Sequence, residues 1–247
     1  MLKNKNEDII PSAMQVFYAP GIKGEKCVLD ATESKHCIKV LRLRKNQQVT
    51  LIDGTGNLYE GIIEEPDPEA CVIRITKVTK DSQPRSYKLH LAVSPLKNPE
   101  RFDWLIEKCV EIGVDEITPL ICKNTEKKNI KTDRINKIII SAMKQSLKTH
   151  LTILNEVIDF KNFISRDFKG TKLIAHCSVN FYRVSVPEVY RKRDDALFLI
   201  GPEGDFTDEE IRDAEKMGYR SVHLGPSRLR TETAGIAACH SIYLLNQ

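Results

Sequence analysis

The sequence lacks the long apolar segments that membrane proteins need. No apolar run approaches the roughly 18 residues of a membrane helix, and the opening residues MLKNKNEDII lack the apolar core of a signal peptide. We therefore expect a soluble, cytoplasmic protein. Hydrophobic residues make up 41% of the chain and charged residues 29%, close to globular averages, which excludes a disordered, collagen-like or coiled-coil chain.

The chain also lacks the cysteine patterns of metal sites and disulfide frameworks. Its seven cysteines are odd in number and widely spaced, and they include no C-x-x-C pair. They are Cys27, Cys37, Cys71, Cys109, Cys122, Cys177 and Cys239. We expect reduced, mostly buried thiols and no bound metal, because a packing role is the commoner one for such cysteines.

Three common catalytic motifs are absent as well. There is no G-x-G-x-x-G fingerprint and no Walker A sequence, which disfavours a dinucleotide or ATP site. Ser227 follows Gly225 and Pro226, so it does not form the G-x-S-x-G elbow of a hydrolase.

The positive charge is concentrated in two stretches. The net charge is +4, yet residues 35–45 carry five Lys or Arg and no acid, and residues 121–150 carry eight against two acids. Such segregation indicates a phosphate-rich partner. A solvated helix face is the alternative interpretation for either stretch.

The length allows one large domain or two modest ones, and the first eighty residues read as a small β-barrel. We predict short strands from Met14 onward, at 28–29, 48–53, 58–64 and 71–79. The cluster Asp53–Asn57 contains two glycines and predicts a hairpin loop. The basic stretch is predicted as a helix with Ile38, Leu41 and Val40 on its apolar face.

Residues 81–86 (DSQPRS) are polar, contain a proline and predict a linker. Beyond them strands and helices alternate, which predicts a mostly parallel sheet with helices on both faces. Predicted strands are 87–94, 116–122, 172–176, 196–200 and 221–224, and predicted helices are 98–113, 133–148, 207–217 and 232–245. Asn98, Gly113 and a Thr207/Glu210 capping box mark helix ends.

Two loops near the carboxyl end carry the densest chemistry. Residues 200–206 (IGPEGDF) follow one predicted strand, and residues 224–235 (LGPSRLRTETAG) follow the next. Open α/β sheets bind ligands at the carboxyl ends of their strands. The alternative for Gly201–Gly204 is an ordinary type I turn. Small residues at the start of the second loop's helix would let a backbone or a ligand approach closely, and free N–H groups there would bind hydrogen-bonding groups of a ligand.

Four segments together resemble a known family. GPEGDFTDEEI (201–211) and LGPSRLRTETAGIAA (224–238) resemble the signature loops of SPOUT RNA methyltransferases, and more narrowly those of the RsmE family of small-subunit ribosomal RNA uridine-N3 methyltransferases. HCIKVLRLRKNQQV (36–49) with DGTGNLYEGII (53–63) is similar to that family's PUA-like barrel, and RFDWLIEKCVEIGVDEITPLIC (101–122) to its first helix and second strand.

The resemblance implies a two-domain enzyme that uses S-adenosyl-L-methionine. It implies a PUA-like RNA-binding barrel and an α/β SPOUT domain with a C-terminal trefoil knot, working as a homodimer on 16S ribosomal RNA or the small ribosomal subunit without a membrane partner. From the residue pattern we place a polar extension at 1–13, the barrel at 14–82 and the SPOUT domain at 83–247. The implied cofactor pocket comprises Leu199, Ile200, Gly201, Glu203, Gly204, Leu224, Gly225, Leu229, Thr233 and Ala234.

The remaining expected roles concern charged side chains. We predict that Arg230 stabilises charge on the uracil, with Arg228 as the second candidate, and that Glu232 orients an arginine or accepts a proton. As a purely structural residue, Arg230 would instead pair with Glu232 or another carboxylate. The predicted RNA-binding residues are Lys35, Lys39, Arg42, Arg44 and Lys45.

The chain departs from the family pattern at three places. Asp205 stands where a second glycine is usual, Asn46-Gln47 replaces a glycine after the basic stretch, and residues 144–150 lose an arginine and a proline. Asp205 and the altered segment 144–150 keep open the alternative of a catalytically idle RNA-binding or ribosome-assembly protein. A ribose 2′-hydroxyl methyltransferase is a further alternative, because the resemblance to SPOUT enzymes also admits that activity.

Overall fold

The computed structural model describes residues 15–247, so the predicted extension at 1–13 and the predicted strand start at Met14 lie outside the described residues. The chain forms two compact units. The first ends at Pro84 and also takes in Met143–Leu151, and the second consists of Arg85–Ala142 and Thr152–Gln247. Within residues 15–247, no helix is both long and apolar enough to cross a membrane.

The first unit is built on a five-stranded sheet. Its strands are β1 (Val16–Tyr18), β2 (Lys26–Val28), β3 (Gln48–Ile52), β4 (Leu58–Glu65) and β5 (Val72–Thr79), in the order β1-β3-β4-β5-β2. β1 runs parallel to β3, and the other neighbours are antiparallel. The predicted strands are confirmed with small shifts at their ends. Alternate residues such as Phe17, Leu51 and Ile73 are fully buried and form the core of this unit.

The hairpin loop between β3 and β4 is the one predicted from its two glycines. Gly54 and Gly56 have φ of 80° and 102°, which most L-residues avoid. Asp53 closes the loop, because its Oδ1 accepts a hydrogen bond from the Thr55 N–H at 2.7 Å. A side chain on Gly56 would collide with His150, whose ring would lie 2.6 Å from the added Cβ. Part of the altered segment 144–150 thus packs against this loop.

The basic stretch is helical only up to Val40, and Ile38 and Leu41 pack against the core as predicted. A short helix α1 (Ala31–Lys35) is followed by one π-helical turn (His36–Val40), and the chain then turns at Arg42, where φ is 56°. Val40 was expected on the apolar face, but its side chain is 66% exposed. The predicted helix does not continue to residue 45, because the left-handed conformation of Arg42 ends the helical hydrogen bonding.

The turn after the basic stretch is formed by Asn46 and Gln47, where the family usually has a glycine. Asn46 adopts φ of 68°, and asparagine tolerates this left-handed conformation better than most residues. Gln47 supports the turn, because its Oε1 accepts a hydrogen bond from the Arg44 N–H at 2.5 Å. This departure from the family pattern is therefore accommodated locally.

The second unit is a parallel sheet flanked by helices. Its strands are β6 (Leu89–Val93), β7 (Glu116–Ile121), β8 (Ile153–Leu154), β9 (Ile158–Asp159), β10 (Thr171–Ala175), β11 (Val184–Ser185), β12 (Ala196–Ile200) and β13 (Arg220–His223). Its helices are α2 (Pro99–Ile112), α3 (Thr132–Gln145, whose last three residues group with the first unit), α4 (Phe160–Ile164), α5 (Val186–Val189), α6 (Asp208–Lys216) and α7 (Thr231–Leu245). The strand order is β11-β13-β10-β12-β6-β7-β8, with β9 also beside β7. The long elements are confirmed, and the short ones were not predicted.

Helices α2 and α7 pack closely against each other. Asn98 caps α2 by accepting the Glu100 N–H at 2.8 Å, and Gly113 ends it at φ of 110°, as predicted. A Cβ on Gly235 of α7 would lie 2.6 Å from the Leu105 side chain of α2. Gly235 therefore allows the close approach of α2, which is one of the two uses expected of the small residues at this helix start.

Candidate active site

Three segments meet at one edge of the parallel sheet. β10, β12 and β13 are parallel, with β10 between the other two, and they end at Ala175, Ile200 and His223. Because parallel strands end at the same edge, the two predicted loops converge there with the segment that follows β10. That third segment was not predicted, although the predicted strand 172–176 already placed His176 and Cys177 at this edge.

The converging segments enclose a pocket of about 410 Å³, within the usual range for small-molecule sites. Seven of the ten predicted cofactor residues line it, namely Ile200, Gly201, Glu203, Leu224, Gly225, Leu229 and Ala234. The predicted catalytic residues Arg228, Arg230 and Glu232 also line it. So do residues that were not assigned to it, including Arg101, Ala175, His176, Cys177, Arg183 and His223.

Three predicted cofactor residues lie outside this pocket. Leu199 is fully buried in β12 and belongs to the hydrophobic core. Gly204 lies against Asn124, whose Cβ would be 3.1 Å from an added side chain. Thr233 is exposed on the first turn of α7.

The loop after β12 is held by neighbouring segments. Its turn runs from Pro202 to Asp205, closed by an N–H to O hydrogen bond of 2.9 Å, one residue later than the expected turn Gly201–Gly204. Asn124 donates to the carbonyl oxygens of Gly204 and Asp205, both at 3.0 Å. The Glu203 Oε1 accepts the Lys97 N–H at 3.0 Å, so this carboxylate already has a protein partner.

Asp205 joins two of the three segments. Its Oδ2 accepts the N–H of Cys177 at 2.7 Å, and its Oδ1 accepts the N–H of Phe206 at 2.8 Å. Its φ of 60° is the left-handed conformation that suits the glycine usual at this position. The carboxylate therefore binds main-chain donors at the pocket wall.

The capping box predicted at the start of α6 is confirmed. Thr207 Oγ1 accepts the Glu210 N–H at 3.3 Å, and Glu210 Oε2 accepts the Thr207 N–H at 2.8 Å. Glu210 also accepts the Lys123 N–H at 2.8 Å through Oε1. These bonds fix the position at which the loop after β12 enters its helix.

The start of α7 places the charged candidates. Arg230 is the N-cap residue, and its side chain is exposed and makes no capping hydrogen bond. Glu232 is buried, and its Oε1 lies 3.7 Å from a guanidinium nitrogen of Arg101. The arginine that faces Glu232 is thus Arg101 of α2, and the expected structural pairing of Arg230 with Glu232 is not the arrangement observed.

His176 is buried at the pocket wall. Its side chain is 5% exposed, and within the described residues neither ring nitrogen has a hydrogen-bond partner. Burial lowers the pKa of His176 below its ordinary value, and the nearby Asp205 carboxylate offsets part of this shift. The imidazole is therefore neutral at pH 7.

The five predicted RNA-binding residues lie in the first unit, and their side chains are exposed. Lys35 forms an exposed ion pair of 3.3 Å with Glu69. Six of the seven cysteines are buried, Cys177 is exposed, and all seven are free thiols, as expected.

Comparison with protein-family models gives two matches. Residues 83–243 match the model described as RNA methyltransferase domain, and residues 29–76 match the model described as RNA methyltransferase PUA domain. The chain belongs to this family of RNA methyltransferases. The resemblance recognised in the signature loops is thereby confirmed, and so is the RNA methyltransferase domain preceded by a PUA domain.

Named members of the RNA methyltransferase family cover most of this chain. Ribosomal RNA small subunit methyltransferase E of Mesomycoplasma hyopneumoniae is 34% identical over 66% of this chain and 71% of its own length. A probable rRNA-methyltransferase from Porphyromonas gingivalis is 36% identical with a TM-score of 0.89, over 94% of this chain and 98% of that one. Another solved structure is ribosomal RNA small subunit methyltransferase E from Neisseria gonorrhoeae bound to S-adenosyl methionine. It is 27% identical with a TM-score of 0.85, over 94% of this chain and 98% of that one.

Proposed function

We propose that the protein transfers the methyl group of S-adenosyl-L-methionine to N3 of a uridine in 16S ribosomal RNA. The observation that carries this proposal is the pocket formed where β10, β12 and β13 end, lined by both signature loops. A relative of closely similar fold has been solved with this cofactor.

The pocket fits the cofactor by its chemistry. Apolar side chains of Ile200, Leu224 and Leu229 offer surface for an adenine ring, and the loops around Gly201 and Gly225 offer main-chain groups for its polar edges. α7 begins beside them without a side-chain cap, so its first N–H groups are suited to a carboxylate or a ribose. When bound, the cofactor supplies an electrophilic methyl group.

The chain must then make N3 of uracil nucleophilic. This nitrogen carries a weakly acidic proton between two carbonyl groups, so its reaction needs proton removal or stabilisation of negative charge on those oxygens. Arg230 is exposed at the pocket and carries no capping bond that would hold it elsewhere, so we assign charge stabilisation to it, with Arg228 second. Glu232 faces Arg101, and we assign Glu232 the role of orienting the Arg101 side chain.

The first unit supplies the RNA-binding surface in this proposal. The segment 35–45 carries no acids and lies within the matched PUA domain, and its basic side chains are exposed, namely Lys35, Lys39, Arg42, Arg44 and Lys45. Positive side chains of this kind bind phosphates without reading sequence. We also propose a homodimer, a C-terminal trefoil knot and a cytoplasmic location, in line with the resemblance.

Nucleoside analysis tests the activity. Ribosomal RNA from a strain lacking this gene, digested and examined by mass spectrometry, should lack 3-methyluridine, and the gene should restore it. An unchanged amount of 3-methyluridine in the deletion strain would rule out the proposed function. Loss of a 2′-O-methylated nucleoside instead would assign the methyl to ribose, and loss of no methylated nucleoside would favour the idle scaffold.

A further inference from the structure

The segment between β10 and β11, residues 176–183, forms a loop beside the pocket that several contacts anchor. Ser178 Oγ and Asn180 Nδ2 both donate to the Asp208 carboxylate, at 2.9 and 2.7 Å. The Phe181 ring packs edge-on against the His176 ring at 5.7 Å and against the hydrophobic core. Arg183 donates to the His176 carbonyl oxygen at 2.6 Å. The loop is thus fixed from several sides.

Tyr182 projects from this fixed loop into solvent. Its side chain is 85% exposed, although both of its neighbours, Phe181 and Arg183, are engaged with the protein. Among the large hydrophobic side chains of residues 15–247, only Val179 at the tip of the same loop is more exposed, at 91%. An aromatic ring on an anchored loop is suited to stacking, because Tyr has only two side-chain torsions to order when it binds.

A second cavity adjoins the loop and the first pocket. Its volume is about 780 Å³, and it shares Cys177, Arg183 and Arg228 with the pocket assigned to the cofactor. It extends the site past Ser178 and Pro226. A ligand in this cavity would therefore lie next to the reacting groups.

The charge around this second cavity is suited to a phosphate. Arg183 and Arg228 line it, and the one carboxylate in its lining, Asp205, accepts two main-chain hydrogen bonds. A guanidinium carries five N–H donors, so the bond from Arg183 to a carbonyl leaves others for phosphate oxygens. Asp208 lies nearby, but Ser178 and Asn180 occupy its two oxygens.

We propose that Tyr182 stacks on the base of an unpaired nucleotide that flanks the target uridine, and that Arg183 binds its phosphate. Exposed aromatic rings commonly stack on the unstacked bases of single-stranded RNA, and Arg183, the next residue in the chain, lines the second cavity. This inference rests on the proposed function for the identity of the RNA. It assigns the loop a role in holding the target strand open beside the pocket.

The test compares Tyr182→Ala with Tyr182→Phe and Val179→Ala. Unmodified 16S ribosomal RNA transcript is the probe, and its Kd is measured with S-adenosylhomocysteine present, followed by KM and kcat for methyl transfer. Tyr182→Ala should weaken RNA binding roughly 5- to 150-fold, raise KM for RNA, and leave kcat at saturating RNA and the cofactor affinity unchanged. Tyr182→Phe should restore binding, and Val179→Ala, which removes no ring, should bind RNA like the wild type.

Three outcomes would overturn the inference. The first is an unchanged Kd for RNA in Tyr182→Ala, and the second is an equal loss of RNA affinity in Tyr182→Ala and Val179→Ala. The third is a change of oligomeric mass in Tyr182→Ala, which would make the loop an interface between copies. Because binding is measured without turnover, the readout is independent of the proposed activity. An inactive wild type that still loses RNA affinity on Tyr182→Ala would contradict the activity and leave the stacking role intact.

Discussion

The Oδ2 atom of Asp205 accepts a hydrogen bond from the main-chain N–H of Cys177 at 2.7 Å. This bond connects the segments that follow β12 and β10, two of the three segments that form the pocket. The Asp205 backbone is in the left-handed conformation, which is unfavourable for an aspartate. Two hydrogen bonds from main-chain N–H groups to the Asp205 carboxylate offset this cost.

Replacing Asp205 by alanine should loosen the pocket. The variant loses both hydrogen bonds and retains the unfavourable φ, so the free energy of unfolding should fall by about 1.5–3 kcal/mol. Binding of S-adenosylhomocysteine should weaken as well. Denaturant unfolding measures the first effect, and calorimetric titration measures the second.

Asp205→Asn is the matched control for this prediction. Asparagine tolerates a left-handed φ and retains one acceptor oxygen, so its losses should lie between those of the wild type and Asp205→Ala. Unchanged stability and cofactor affinity in Asp205→Ala would contradict the role of this residue in holding the pocket together.

Protonation of His176 should lower the free energy of unfolding at acidic pH. Burial holds its pKa below the ordinary value of 6.5, so the unfolded chain binds the proton more readily than the folded one. The free energy of unfolding should therefore fall as the pH drops below about 6.5, down to the lowered folded pKa. Asp205, Asp208 and Glu215 oppose the shift, and Arg183 adds to it.

His176→Gln should flatten this pH dependence, because the substituted side chain does not titrate. His90 also has a pKa lowered by burial, so part of the slope should remain. An unchanged slope below about pH 6.5 in His176→Gln would show that folding does not change the proton affinity of His176, which contradicts the lowered pKa.

Arg230→Ala should slow methyl transfer without preventing cofactor binding. If Arg230 acts on charge that develops only in the transition state, its loss should cost about 2.7–4 kcal/mol of barrier, on the order of 100- to 1000-fold in rate. The fold should survive, because the Arg230 side chain is exposed and caps nothing. Single-turnover transfer with saturating RNA and cofactor separates this chemistry from binding.

Arg228→Ala, at the other exposed arginine of the same loop, is the comparison for Arg230. We expect a smaller loss there. If Arg230→Ala lowers the single-turnover rate by less than about threefold while cofactor binding is intact, charge stabilisation should be assigned to Arg228 instead.

The basic segment of the first unit should bind phosphates. Arg42→Ala with Arg44→Ala should weaken RNA binding and reduce the slope of log K against log salt by up to about 0.9 for each phosphate that is no longer neutralised. Cofactor affinity should not change. Lys77→Ala, which removes an exposed lysine already paired with Glu60 at 2.7 Å, is a control on the same unit. An unchanged salt slope in the double variant would indicate a solvated surface.

Local signals in the sequence predicted the long elements of the fold. Asn98, Gly113 and the Thr207/Glu210 box marked helix ends because caps depend on a few neighbouring residues. Short elements such as β11 and α5 were missed, because two to four residues carry too little periodicity. The assignment of Met143–Leu151 to the first unit depends on residues distant in sequence, such as the pairing of His150 with Gly54 and Thr55.

The candidate site was predictable where it follows a single strand and a recognisable loop. Arg228 and Arg230 came from one dense segment, and both line the pocket. The partner of Glu232 was not predictable, because Arg101 comes from a helix 131 positions earlier in the chain. His176 was missed because an isolated histidine after a strand gives no local sign that its ring is buried without a partner.

Reconstituted methylation with a labelled cofactor tests the central claim most directly. Purified protein is incubated with S-adenosylmethionine carrying an isotopically heavy methyl group and with small ribosomal subunits, or their RNA, from a strain lacking the gene. Nucleosides of the recovered 16S RNA are then separated and weighed. The account predicts heavy 3-methyluridine, formed by the wild type and strongly reduced with Arg230→Ala. Heavy label in a 2′-O-methylated nucleoside, or no label in RNA while the protein binds S-adenosylhomocysteine, would contradict it.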